Sequence, residues 1–188
     1  MPITGEHFLN VFQKVWKQRI ARDPQIAECF KARKPRTLCM CGKLGVLPET
    51  LEGLQDPRLE WCPEFYRIDF AAWRESRSVL HKRQYRQPLG VLVLIEHENY
   101  RNSEEEFWKL LHWYAPLKVL VCYHTDYQGR LRTFREVGRA MNNHHARNPN
   151  EEYLVLIGSP GGPTPEEPMW QAFRARSPDF EFGCLGNP

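Results

Sequence analysis

The chain predicts an α/β fold, a mixed central sheet flanked by helices, on three observations. An amphipathic helix opens it, and three strand-like runs follow before the next capped helix. Beyond that helix, buried strands alternate with helical stretches. Strands separated by helices imply parallel pairing, while strands that follow one another directly imply a meander. At 188 residues, one domain with a sizeable core is expected. A hydrophobic content of 41% and a charged content of 26% argue against wholesale disorder.

In the opening helix Phe8, Val11, Phe12, Val15, Trp16 and Ile20 recur at helical spacing, with Thr4 as cap and Glu6 in the first turn. A weaker helix is expected over 24–31, then a basic break at Arg33-Lys34-Pro35-Arg36. Residues 43–60 read as loop, punctuated by Gly45, Pro48, Gly53 and Pro57. The aromatic-rich stretch 61–74 suits strands and carries Asp69. Residues 76–88 read as a polar turn or long hairpin loop, and 89–98 as a central strand apolar on both faces.

Ser103-Glu104-Glu105-Glu106 forms a capping-box pattern before Phe107, Leu110, Leu111 and Tyr114, and Pro116 stops that helix. A buried strand over 117–123, a helix over 129–146 and a strand over 153–158 follow. Residues 159–168 read as irregular loop, and 179–184 as a short closing strand.

The net charge of +3 is too mild to imply a nucleic-acid partner by itself. No stretch approaches the ~18–20 apolar residues of a spanning helix, and the amphipathic N-terminus lacks a signal-peptide core. No membrane association is expected. Six cysteines without framework-like spacing suit reduced thiols in a cytoplasmic protein.

The chemistry concentrates in LVLIEHEN, residues 92–99. Strand alternation sends Glu96 and Glu98 to one face and His97 and Asn99 to the other. If 67–74 pairs with this strand, Asp69 comes near them. Three carboxylates at a strand end suit a hard divalent cation such as magnesium. The plain alternative is a polar strand end leaving the core.

The order helix, three strands, helix, strand, with YRIDF and IEHE on the second and third strands, resembles the restriction-endonuclease-like PD-(D/E)XK nuclease superfamily over about residues 4–123. Residues 124–188 would form a C-terminal extension of the same domain. The resemblance implies metal-dependent phosphodiester hydrolysis of nucleic acid, with DNA the expected partner and magnesium, or manganese, the cofactor. It implies Asp69 and Glu96 as metal ligands, joined by the His97 carbonyl. Glu98 occupies the usual lysine position, as in family members with E-x-E, and would position or deprotonate the attacking water. Other members take the lysine from the following helix, which points to Lys109. At ~100° per residue Lys109 falls outside the apolar stripe, so a solvated surface lysine is the competing reading. A homodimer is one arrangement that would present two such sites to a duplex. The alternative is a nuclease-fold binding module without chemistry, for nucleic acid or a protein partner.

Between the two acidic strands Arg74, Arg77, Lys82, Arg83 and Arg86 stand against Glu75 alone. These residues are the candidate phosphate contacts beside the site, a solvated hairpin tip being the alternative. Lys31, Arg33, Lys34, Arg36 and Lys43 form a second basic stretch. Cys39-Met40-Cys41, with Cys29 and Cys62, lacks the C-x2–4-C pairing of a thiolate zinc site and reads as free or buried thiols. His144-His145, His112-Trp113 and Ser159-Pro160-Gly161-Gly162 carry no recognisable site.

Overall fold

The computed structural model describes residues 3–23, 29–30, 33–74, 90–98, 102–144, 150–159 and 170–186. Three helices lead the chain: α1 (Gly5–Arg22), α2 (Arg33–Cys41) and α3 (Val46–Gly53). Strands β1 (Leu59–Phe65), β2 (Ile68–Arg74) and β3 (Val91–Glu98) follow, then α4 (Ser103–His112), β4 (Leu117–Tyr123), α5 (Tyr127–His144) and β5 (Glu152–Gly158). Strands β6 (Trp170–Arg176) and β7 (Gly183–Gly186) complete a seven-stranded mixed sheet in sequential order. Pairing is antiparallel from β1 to β3, parallel from β3 to β5, and antiparallel again to β7.

Two apolar layers sandwich the sheet. On one face Phe8, Phe12, Val15 and Trp16 of α1 and Val46, Leu47 and Leu51 of α3 cover Val93, Ile95, Val119, Val121 and Leu156. On the other, Phe107, Leu110 and Leu111 of α4 and Leu131 and Phe134 of α5 cover Leu94, Leu120, Val155 and Ile157. Alternation along β4 splits its side chains between the two layers, and every residue of that strand is buried. At about 1.5–3 kcal/mol for each large apolar side chain fully buried, these layers are the main favourable term holding the sheet.

The start of α1 is fixed twice. The Thr4 side chain accepts from His7 N, and Glu152 Oε1 of β5 accepts from Gly5 N at 3.0 Å. A Cβ at position 5 would meet that carboxylate oxygen at 2.5 Å, so a larger residue would push the Glu152 side chain off its bond to this backbone N–H.

Several expectations change. Residues 43–60 are not continuous loop: Gly45 is the N-cap of α3, Pro48 lies in its first turn and Gly53 is its last residue. The supposed breakers mark helix ends, where proline costs little. Arg33-Lys34-Pro35-Arg36 likewise opens α2 rather than breaking the chain. Ser103 does not cap α4; it is buried inside the helix, and Asn102 holds the N-cap position without a side-chain bond. Tyr114 leaves the apolar stripe because α4 ends at His112, and it is 66% exposed. The closing strand is Gly183–Gly186 rather than 179–184, and β6 has no counterpart in the sequence reading. Residues 76–88, and most of 24–31 and 159–168, lie outside the described residues. Among the described residues, no helix is long and apolar enough to cross a membrane.

Candidate active site

The site is built where β2 and β3 stop sharing backbone bonds. Their antiparallel register ends with Phe70 opposite Ile95. One step beyond, side chains take over the ladder. Asp69 N donates to Glu96 Oε2 at 3.3 Å, and His97 N donates to Asp69 Oδ2 at 2.8 Å. The two carboxylates are thus cross-linked through each other's strand, which fixes their relative position without a loop.

Helix α4 closes the group from its own face of the sheet. Lys109 Nζ lies 2.8 Å from Glu96 Oε1, pairs with Glu106 one turn back, and donates to the Arg67 carbonyl at 3.1 Å. The helix is positioned by Phe107, Leu110 and Leu111 in the core, and at its C-terminal end by aromatic packing. Trp113 sits 5.7 Å from Tyr66 and 5.8 Å from Phe65, ring centre to ring centre, in the β1–β2 turn. Tyr66 and Arg67 of that turn, and Glu64 near the end of β1, have φ of 47°, 69° and 55°, a left-handed conformation that non-glycine residues adopt at a cost. The ammonium of Lys109 fastens the strained turn by its carbonyl.

Three carboxylates around one ammonium leave a deficit of positive charge. Glu96 is almost fully buried, and its pKa is pushed up to about 9 by burial, against the Lys109 bond and with the charges of Asp69 and Glu106 adding to the rise. Asp69 is also raised, mainly by burial, despite the bond from His97 N. Burial works against the charge of Lys109, yet its bonds to Glu106 and Glu96 outweigh this and hold its pKa above the ordinary value. A hard dication set against Asp69 and Glu96 would relieve both carboxylates, and their oxygens are the donors magnesium prefers.

The anticipated acidic residues and Lys109 lie among the described residues. Asp69, Glu96 and Lys109 are brought together. Lys109 is not a solvated surface lysine; it points along the sheet-facing edge of α4, its side chain 24% exposed. Glu98 ends β3 half-buried, in register with Cys122 of β4, and the carboxylate of α4 in the cluster is Glu106. Glu106 was missed as a site residue, although an acidic residue one turn before a lysine is a pair the helix brings together. His97 faces away from Glu96, buried among α1-side residues. Its Nε2 shares a hydrogen bond with the Tyr123 hydroxyl at 3.1 Å, and burial, helped by the charge of Arg36, lowers its pKa to about 3.

Of the two basic stretches, Arg33, Lys34, Arg36, Lys43 and Arg74 lie among the described residues. Arg74 lies away from the carboxylates. Its Nε donates to Asp56 Oδ2 at 2.6 Å, and five residues of strand, about 17 Å at ~3.3 Å per residue, separate it from Asp69. Because β2 and β3 are antiparallel, Arg74 and Val91, where the basic segment departs and returns, lie at the opposite end of the ladder from Asp69 and Glu96. Arg77, Lys82, Arg83 and Arg86 fall outside the described residues. Arg36 is buried, donates to the Phe30 carbonyl at 2.6 Å and lies 4.5 Å over the Tyr123 ring, so it is a packing cation, not a steering one. Lys34 and Lys43 remain exposed. Comparison with family models, with characterised proteins and with solved structures returned no match to this chain.

Proposed function

We propose that the chain is a metal-dependent nuclease of the restriction-endonuclease-like type, acting on DNA through Asp69, Glu96 and Lys109. The observation that carries the reading is Lys109 Nζ at 2.8 Å from Glu96 Oε1, with Asp69 cross-bonded to the same strand end. A lysine contributed by the helix after the third strand takes the role that Glu98 cannot fill in the E-x-K position. The element order supports it: an opening helix, an antiparallel three-strand meander, a crossover helix and a parallel fourth strand.

In this reading Asp69 and Glu96 would hold a magnesium or manganese ion through their carboxylate oxygens. Such an ion, when bound, lowers the pKa of a water and offsets charge developing on the phosphate. Lys109 orients the attacking water and stabilises negative charge as the phosphorus becomes five-coordinate. Glu106 keeps the lysine turned toward Glu96, and the Arg67 carbonyl limits its swing. Glu98 lies farther along β3, at the margin of the site.

Magnesium titration by calorimetry tests the metal half of the reading. The wild-type chain should bind the ion, and Asp69→Asn and Glu96→Gln should each weaken binding by tenfold or more. Equal affinity in all three would remove Asp69 and Glu96 as ligands. A binding module without chemistry is the second reading, favoured by the Lys109 ammonium already standing where a cation would neutralise the carboxylates. It expects nucleic-acid binding indifferent to magnesium.

A further inference from the structure

The carboxylate of Asp69, a metal ligand in the hydrolytic reading, also belongs to a second constellation whose Cys41 and His97 side chains that reading does not use. Cys41, the last residue of α2, brings its Sγ to the Asp69 carboxylate and a ring nitrogen of His97. The three donor atoms all lie within 4.8 Å of one another. We propose that Cys41, Asp69 and His97 form a binding site for a thiophilic divalent cation of the zinc type.

The donor chemistry selects the ion. A thiolate, an imidazole and a carboxylate form a mixed sulfur, nitrogen and oxygen set, which suits zinc or cobalt and is a poor match for magnesium or calcium. Metal–ligand lengths of about 2.0–2.3 Å at tetrahedral angles put donors roughly 3.6 Å apart, so small side-chain rotations close the set around an ion. Three protein ligands leave a fourth position for water or another ligand.

The surroundings are those of oriented ligands. The Tyr123 hydroxyl bonds His97 Nε2, and the backbone N of His97 bonds Asp69 Oδ2. Metal-binding histidines and carboxylates are commonly held by such outer bonds, which set ring orientation and basicity. His97 is buried and so is Tyr123, so the imidazole has little freedom to turn away. Arg36, over the Tyr123 ring, brings a cationic group near this pocket, and Asp69, Glu96 and Glu64 act on Cys41 from the anionic side. A thiolate and one carboxylate balance a dication. The site would tie the end of α2 to the ends of β2 and β3, three segments that no cysteine spacing links.

Cobalt(II) added to chelator-free protein reads the site directly. One equivalent should produce a thiolate-to-cobalt charge-transfer band and the strong visible absorption of a tetrahedral ion, both abolished by an equivalent of zinc. Cys41→Ser should remove the charge-transfer band, and His97→Gln should weaken cobalt binding by tenfold or more. Tyr123→Phe should keep the band and lose affinity about tenfold, as expected of an outer bond. Cys39→Ser should change nothing, which separates this site from binding at neighbouring thiols. Should Cys41→Ser fail to fold by circular dichroism, His97→Gln and Cys39→Ser decide alone. A wild type with no band, or a band that survives Cys41→Ser or His97→Gln unchanged, overturns the proposal.

Discussion

Burying Glu96 beside Asp69 and Glu106 costs free energy that one ammonium group only partly offsets. Removing that ammonium with Lys109→Met should destabilise the chain by about 1–3 kcal/mol, the cost of leaving buried acceptors without their donor. Adding Glu96→Gln to Lys109→Met should restore part of that loss, because the unpaired charge disappears with it. Urea denaturation of the two single variants and the double variant checks this; strict additivity would mean the pair is not coupled. Asp56 behaves in the opposite sense. Arg74, and then the backbone of Arg58, hold its pKa below the usual 3.8. Its contribution to stability is therefore present above the unfolded value and lost as pH falls through the lower folded value. Asp56→Asn should lower the denaturation midpoint at neutral pH and have little effect well below pH 3.8. Asp69 and Glu96 were legible in the sequence because strand alternation and adjacency are local rules. Lys109 was only half legible: the helical wheel removed it from the apolar stripe but could not show that the stripe's edge faces a sheet end. Cys41 was set aside because spacing rules compare cysteines with cysteines, and its neighbours here come from two strands.

At the scale of elements, the β1–β2 turn sets where α4 can dock. Arg67 is exposed and left-handed, so its side chain contributes little and its backbone bears strain. Arg67→Gly should stabilise the chain by about 1 kcal/mol, since the left-handed penalty for an L-residue is ~1–2 kcal/mol and part returns as unfolded-chain entropy. The Lys109 bond to that carbonyl survives the change. Thermal unfolding measures it, and a lower midpoint would show that the turn depends on the Arg67 side chain. The long periodic elements α1, β3, β4, α5 and β5 were readable because each spans several repeats of its own period. α2 and α3 were not, since each is two to three turns long and carries a proline in its first turn. β6 was hidden because its strand pattern, WQAFRAR, mixes arginines with apolar residues and gains its stability from pairing with β5.

At the scale of the molecule, one polar cluster is enclosed by the apolar layers away from the site. Lys118 of β4, fully buried, bonds Glu151 Oε2 at 2.8 Å and the Tyr153 hydroxyl at 3.1 Å, and that hydroxyl bonds Glu151 at 2.7 Å. Lys118→Met should cost about 3–5 kcal/mol by leaving Glu151 buried and unbalanced, and Lys118→Met with Glu151→Leu should recover much of it. Calorimetric unfolding separates the two outcomes, and a neutral single substitution would show that the pair is readily rehydrated. The pairing direction follows the connections that are described: β1 and β2, joined by two residues, run antiparallel, and the two pairs joined by α4 and α5 run parallel. That much was legible from the alternation of elements, whereas the pairing of Arg74 with Asp56 was not, because it joins β2 to the loop ahead of β1. The account as a whole rests on Asp69, Glu96 and Lys109 acting together. The most direct test is relaxation and linearisation of a supercoiled plasmid in magnesium by the wild-type chain and by Asp69→Asn, Glu96→Gln and Lys109→Met. Cleavage by the wild type that needs magnesium and falls at least a hundredfold in each variant is the expected result; no cleavage by folded, magnesium-loaded wild type, or equal cleavage by all four proteins, would contradict it.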